Sequence, residues 1–179
     1  MTLLRFDIEL LPFIALRQKS EEARALRARK RKKVRKIPLS YISTNRMWAV
    51  NKRTGTLYLS TEGEQWKQYV SDVLYEQSGS STLFDGYDVT YVFYHTREMM
   101  YTRAGEIHEV DVSNYLKATE DALFEWLLES DAFVFDIKGY KRVIDKNPKL
   151  VILMSESNPR DVIHHRDVQF TPEELYDAP

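Results

Sequence analysis

Two segments of this 179-residue chain carry their apolar residues at helical spacing, and segments of strand-like alternation lie around them. From Thr61-Glu62-Gly63 onward, Trp66, Tyr69, Val70, Val73 and Leu74 recur at i, i+3, i+4, i+7 and i+8, which predicts a helix with one buried face. Tyr115 to Leu128 predicts a second, with Leu116, Leu123 and Leu127 on one side and Tyr115, Ala122 and Trp126 beside them. Between the two, Val89, Tyr91 and Phe93 alternate with Asp88, Thr90 and Val92, the period of a strand. Ala132 to Tyr140 and Lys149 to Met154 read as a hairpin joined through Asp145, Lys146, Asn147 and Pro148. Strands on both sides of two helices predict an α+β fold: a mixed β-sheet with two principal helices packed against it.

The N-terminal region follows a different pattern. Thr2 to Leu16 is apolar but interrupted by Pro12, and Ser20-Glu21-Glu22 looks like a helix start, which predicts a helix over about Glu21 to Lys33 that is an arm more than a core element. Lys33 to Pro38 reads as a first strand, followed by a loop through Ser40, Ser43, Thr44 and Asn45. Arg53-Thr54-Gly55-Thr56 is a turn between two short extended pieces, and His95 to Ile107 is a long polar loop. The expected organisation is a basic N-terminal extension over residues 1–32, a folded domain over 33–154 and an acidic tail over 155–179.

Charge sharpens that division. Residues 1–36 hold twelve Lys/Arg against four Asp/Glu, so the net charge of -1 conceals a basic start and an acidic body. Between residues 24 and 36, nine positive charges fall in thirteen residues. Such a run either lies along phosphates, releasing counterions, or is a solvated helix face, a targeting signal or a membrane-surface contact. With no cysteine there is no disulfide framework, Cys-based zinc site or thiol nucleophile, and four scattered histidines form no HExxH pair. No apolar stretch approaches the roughly 20 residues that span a bilayer. The expectation is a soluble protein of a reducing compartment, with no membrane span and no organic cofactor.

The segment that carries chemistry is Asp111-Val112-Ser113-Asn114-Tyr115-Leu116-Lys117, then Asp121-Ala122-Leu123, then Asp131-Ala132-Phe133-Val134. Glu109, Asp111 and Ser113 alternate as if along an extended segment, and Ser113 is a fit N-cap for the helix that follows. A strand end and a post-helix turn would bring Asp111 and Asp131 to one rim of the sheet, where two carboxylates can share Mg²⁺. Lys117, one turn into the helix, could neutralise a scissile phosphate. Asp121 is placed at i+4 to orient Lys117. Acids at helix starts and in turns are also commonplace, so residue types alone leave a purely structural role open.

The order of motifs resembles the RusA-type Holliday-junction resolvases, in which a DxDNxxKxxxDAL block is followed after a helix by DDxQV. Here the block stands as Asp111, Ser113, Asn114, Lys117 and Asp121-Ala122-Leu123, with Ser130-Asp131-Ala132-Phe133-Val134 after it. Ile37-Pro38, Ser43-Thr44-Asn45-Arg46 and Tyr58-Leu59-Ser60-Thr61-Glu62-Gly63 with Trp66 are similar to the family's upstream loop, YxS-x-EG segment and first helix, and Asp136, Lys138 and Lys141 match downstream. The likeness covers about residues 33 to 154.

The resemblance implies a RusA-like α+β fold and a homodimeric, Mg²⁺-dependent (Mn²⁺ also suitable) endonuclease that cleaves branched DNA, in the cytoplasm of a bacterial or phage-infected cell. By position, Asp111 and Asp131 correspond to metal-binding, catalytic carboxylates and Lys117 to the catalytic lysine. Ser113 and Ser130 stand where the family places further Asp residues, which puts Glu109 forward as a replacement metal ligand. It also keeps open a junction-binding relative with weak or no catalysis. Phosphate-positioning candidates are Arg46, Lys52 and Arg53 after the first strand, Lys138 and Lys141 on the strand after Asp131, and Arg29, Lys30, Arg31, Lys32 and Lys33 of the basic run. Trp48 and Tyr58 either stack on an unpaired base or pack on one another. A third reading confines the likeness to the fold, with the basic arm docking onto a protein or RNA.

Overall fold

The computed structural model describes residues 3–27, 37, 40–78, 84–108, 111–128 and 131–157, the side chains of residues 27 and 131 excepted. In chain order these form β1 (Leu3–Glu9), α1 (Leu10–Arg27), α2 (Thr44–Met47), β2 (Trp48–Val50), β3 (Leu57–Leu59), α3 (Thr61–Ser78), β4 (Tyr87–His95), α4 (Arg97–Met100), α5 (Val112–Leu127), a 3-10 turn (Asp131–Phe133), β5 (Val134–Val143) and β6 (Lys149–Glu156). The architecture is mixed α/β, as expected, with both principal helices where the spacing puts them.

β4 organises the main sheet. Its residues alternate without exception between buried and half-buried, so Tyr87, Val89, Tyr91 and Phe93 form one apolar face. The strand order is β1-β6-β4-β5, with β4 antiparallel to β6 and parallel to β5. The buried faces of α3 (Trp66, Val70, Leu74) and α5 (Ala118, Ala122, Leu123) join the same core. At α3 the sequence permits close approach: a Cβ on Gly63 would sit 2.6 Å from the Met47 carbonyl oxygen, so only glycine lets α3 pass α2.

Two expectations need correction. β5 and β6 are not a hairpin, because β4 lies between them; its fully amphipathic pattern suits an inner strand, whereas β5 is exposed at most positions and takes the edge. The start of the chain is not merely an arm. β1 pairs with β6, setting Phe6 opposite Ile152 and Ile8 opposite Leu150, and Phe6, Ile8, Leu10 and Phe13 are all buried. α1 begins at Leu10 rather than near Glu21. Pro12 is tolerated because the first four amides of a helix lack an internal acceptor, and Ser20 turns its hydroxyl back to the Leu16 carbonyl (3.1 Å) instead of capping. The strand expected over Lys33 to Pro38 falls almost wholly outside the described residues. The turn at residues 53–56 joins β2 to β3, with Gly55 at φ 72°. The loop expected over 95–107 is locally ordered: α4 leads into a small turn closed by a Tyr101–Ile107 bridge.

Candidate active site

Asp111 is the N-cap of α5. Its Oδ1 accepts from the Ser113 amide at 3.0 Å, which moves the cap two residues before the expected Ser113 and ends the extended alternation through that residue. The Ser113 hydroxyl and amide together, and then the charge of Lys141, hold the exposed Asp111 carboxyl below the usual carboxylate range. Asp111 is therefore an anion at neutral pH.

The chain after residue 40 is fastened beside this cap. Tyr41 is buried against Phe93, His95 and Tyr115, and its hydroxyl lies 2.7 Å from the Tyr94 carbonyl and 2.5 Å from that of Lys149. Thr44 donates to the Asn114 carbonyl (3.0 Å), tying α2 to the first turn of α5. These anchors shape a cleft of about 260 Å³ lined by Ser40, Ser43, Arg46, Asp111, Asn114 and Tyr115. Arg46 thus reaches the neighbourhood of Asp111 across sixty-odd residues of sequence, held by a two-pronged contact with Glu62 (3.0 and 2.5 Å) and by Ser40 (3.0 Å).

The family profile for endodeoxyribonuclease RusA matches residues 38–155, more than half of the chain. The chain belongs to the RusA family. No curated protein matches it significantly. Among the described residues, the RusA match takes in α2 with Arg46, the Asp111 cap, α5, β5 and nearly all of β6, but not β1 and α1.

Within one chain of this RusA relative the two expected metal ligands do not meet. α5 is 16 residues long, about 24 Å at 1.5 Å per residue; Asp111 caps its start and Asp131 follows its end. β5 runs back alongside: Tyr87, the partner of Val134, packs on Phe124 near the end of α5, whereas Gly139 meets Leu116 and Lys141 acts on Asp111 near its start. The rim expected to hold both acids is therefore two rims. Glu109 and the side chain of Asp131 lie outside the described residues. Among the described residues no three His, Asp or Glu side chains gather as a metal site would require. Asp111 supplies a hard oxygen donor of the kind Mg²⁺ takes, but a single carboxylate with a serine and an asparagine beside it does not complete a site.

Other expected residues divide similarly. Lys117 pairs with Asp121 at 3.1 Å, the expected i,i+4 contact, and with Glu120 at 3.4 Å. It lies roughly 120° around the helix from Asp111. Lys141 shares the helix-covered side of β5 opposite Phe93, whereas Lys138 pairs with Asp136 (2.7 Å) on the opposite side. Lys52 and Arg53 are exposed in the β2–β3 turn. Arg29, Lys30, Arg31, Lys32 and Lys33 lie outside the described residues. Ser40 and Tyr41 were not foreseen as site residues, and only their position beside Arg46 in the loop signalled them. Arg97, Arg103 and Lys146 were not foreseen either; they line a larger cleft of about 1090 Å³ beyond the end of β4, and no motif singles them out.

Proposed function

We propose that this RusA relative is a structure-selective endonuclease that nicks branched DNA, four-way junctions above all, with Mg²⁺ or Mn²⁺ and as a homodimer. The observation that carries this reading is the Asp111 cap: an ionised carboxylate that shares one small cleft with Arg46 and feels the charge of Lys141. A bound divalent ion would supply a water acidic enough to attack a phosphodiester. Arg46 and Lys141 would position the phosphates flanking the cut, and Lys117 would offset charge developing on the leaving oxygen. The acidic body would draw on the basic run around residues 29–33 to attract DNA, most strongly at low salt.

The length of α5 adds a condition. If Asp111 and Asp131 share one ion, they do so from two copies, Asp111 of one against Asp131 of the other, related by a two-fold axis. A dimer of that kind has two equivalent sites, which suits paired nicks in opposing strands.

The test is cleavage of a synthetic four-way junction. Wild-type protein should cut with either metal, and Asp111→Asn and Asp131→Asn should each abolish cutting while still shifting the junction in a gel. Mixing the two dead variants then discriminates further. Acids acting across the dimer leave one intact site in every mixed dimer, so about a quarter of the wild-type sites should return after subunit exchange. A mixture as inactive as its components would rule out the shared site.

One observation favours a second reading, a junction-binding protein that does not cut. Ser113 directs its amide and hydroxyl to Asp111 rather than adding a negative charge beside it. Wild-type protein that binds the junction yet leaves it whole with both metals would decide for that reading.

A further inference from the structure

On the other side of Arg46 lies a second cleft, of about 500 Å³, with Arg17, Arg24, Arg46, Tyr58, Glu62 and Gln65 in its lining. That volume falls within the range of small-ligand sites. Three guanidinium groups share the cleft with two carboxylates, Glu21 and Glu62. The Glu62 carboxylate takes Arg46 by both oxygens and also pairs with Arg17, so one anion serves two guanidinium groups. Arg17 is only 3% exposed, stands over the Phe13 ring at 5.6 Å, and leaves its Nη1 buried without a hydrogen-bond partner among the described residues. Burial first, and then the charge of Arg46, push Arg17 down to about 10, with Glu21 opposing them. Arg24, well exposed, makes a loose 3.6 Å contact with Glu21.

The β2–β3 hairpin adds a flat apolar surface. Its register pairs Ala49 with Tyr58, and both line this cleft, while Trp48 pairs with Leu59 on the other side of the ribbon. Of the two aromatic residues only Tyr58, half exposed, faces the space. Gln65 donates its Nε2 to Ser20 at 2.9 Å and lines the wall with its carboxamide.

We propose that this cleft receives one nucleotide unstacked from a DNA strand, with its phosphate on Arg17 and Arg46 and its base against Tyr58. The phosphate offsets the excess of guanidinium over carboxylate charge; the ring supplies stacking, which every base can use. Because Arg46 also lines the Asp111 cleft, the bound nucleotide neighbours the phosphate held there. The proposal rests on the branched-DNA reading only for the source of the nucleotide. The competing account is a partly buried Arg–Glu–Arg cluster that merely joins α1, α2 and α3.

The experiment is a titration of the full chain with each of the four deoxynucleoside 5′-monophosphates and, separately, inorganic phosphate, followed by amide and arginine Nε–H NMR signals. Each nucleotide should shift Arg17, Arg46, Tyr58 and Gln65, and bind more tightly than phosphate alone. Tyr58→Ala, an exposed substitution that leaves the core intact, should weaken nucleotide binding roughly tenfold while leaving the weaker phosphate binding unchanged. Arg17→Met should remove both, but its burial endangers the fold, so Tyr58→Ala carries the decision. Absence of shifts at these residues, equal affinity in Tyr58→Ala, or phosphate binding as tightly as the nucleotides would each overturn the proposal. A protein that binds nucleotides here yet never cuts a junction loses the nuclease reading and keeps this one; a protein that cuts but shows no such shifts does the reverse.

Discussion

At Asp111 a single hydroxyl decides how firmly the carboxylate stays charged. The Ser113 side chain is the first cause of its lowered pKa, ahead of the Ser113 amide and Lys141. Ser113→Ala removes the hydroxyl and keeps the amide, so the Asp111 pKa should rise part of the way toward the ordinary value near 3.9, read from its carboxyl carbon in an NMR titration. An unchanged value would give the whole effect to the helix terminus. The lowered pKa means that ionised Asp111 favours the folded state above the ordinary carboxylate pKa. That contribution fades as the pH falls through the lowered value. The sequence made both Asp111 and Ser113 legible as residues of a helix start, but aspartate and serine cap almost equally well and their order could not be ranked from types alone. The Lys117–Asp121 pair was legible because i,i+4 spacing fixes its geometry without help from the rest of the fold. The buried Arg17 was hidden, since its partner Glu62 lies forty-five residues away and on a different helix.

Among elements, local period was readable and pairing was not. β4 was evident from alternation, as α3 and α5 were from helical spacing, because each pattern is written within a few turns or pleats. That β4 would insert between β5 and β6 depends on which strand can bury a face, a competition among segments far apart in sequence. The same non-local choice hid β1, whose apolar run was cut short in the sequence by Pro12, a residue that in fact sits harmlessly in the first turn of α1. The contact between α2 and α3 gives a sharp test. Gly63→Ala would gain about 1 kcal/mol in helix propensity. Against that, the new Cβ meets backbone at 2.6 Å, which cannot swing aside as a side chain can. Overpacking of this kind costs about 1–3 kcal/mol, so the variant should lose stability in a urea titration with an unchanged slope. Because Arg46 sits on α2 and touches Glu62 of α3, the displaced helix should weaken junction binding as well. Stability at or above that of wild type would show that α2 yields freely.

For the molecule as a whole, the division of charge and the division of the core run through the same N-terminal segment in different places. The positive excess is densest between residues 24 and 36, yet the residues before it are structural: Phe6, Ile8, Leu10 and Phe13 are buried with the sheet and α3, each worth about 1.5–3 kcal/mol. Removing residues 1–32 to test DNA attraction would therefore strip the β1 edge from β6 and most of α1 from the core, and a loss of binding would report unfolding. The informative variant keeps the chain and changes only Arg29, Lys30, Arg31, Lys32 and Lys33 to glutamine. It should melt like wild type. Its binding to a four-way junction should weaken at low salt, and the slope of log affinity against log salt should fall by about 0.9 for each phosphate that the run no longer neutralises. An unaltered slope would free the basic run from any role on DNA and leave attraction to Arg46, Lys141 and the other cations of the folded body. A slope that falls while the preference for branched over linear duplex disappears would instead place the run at the branch point, because a purely long-range attraction weakens both substrates alike.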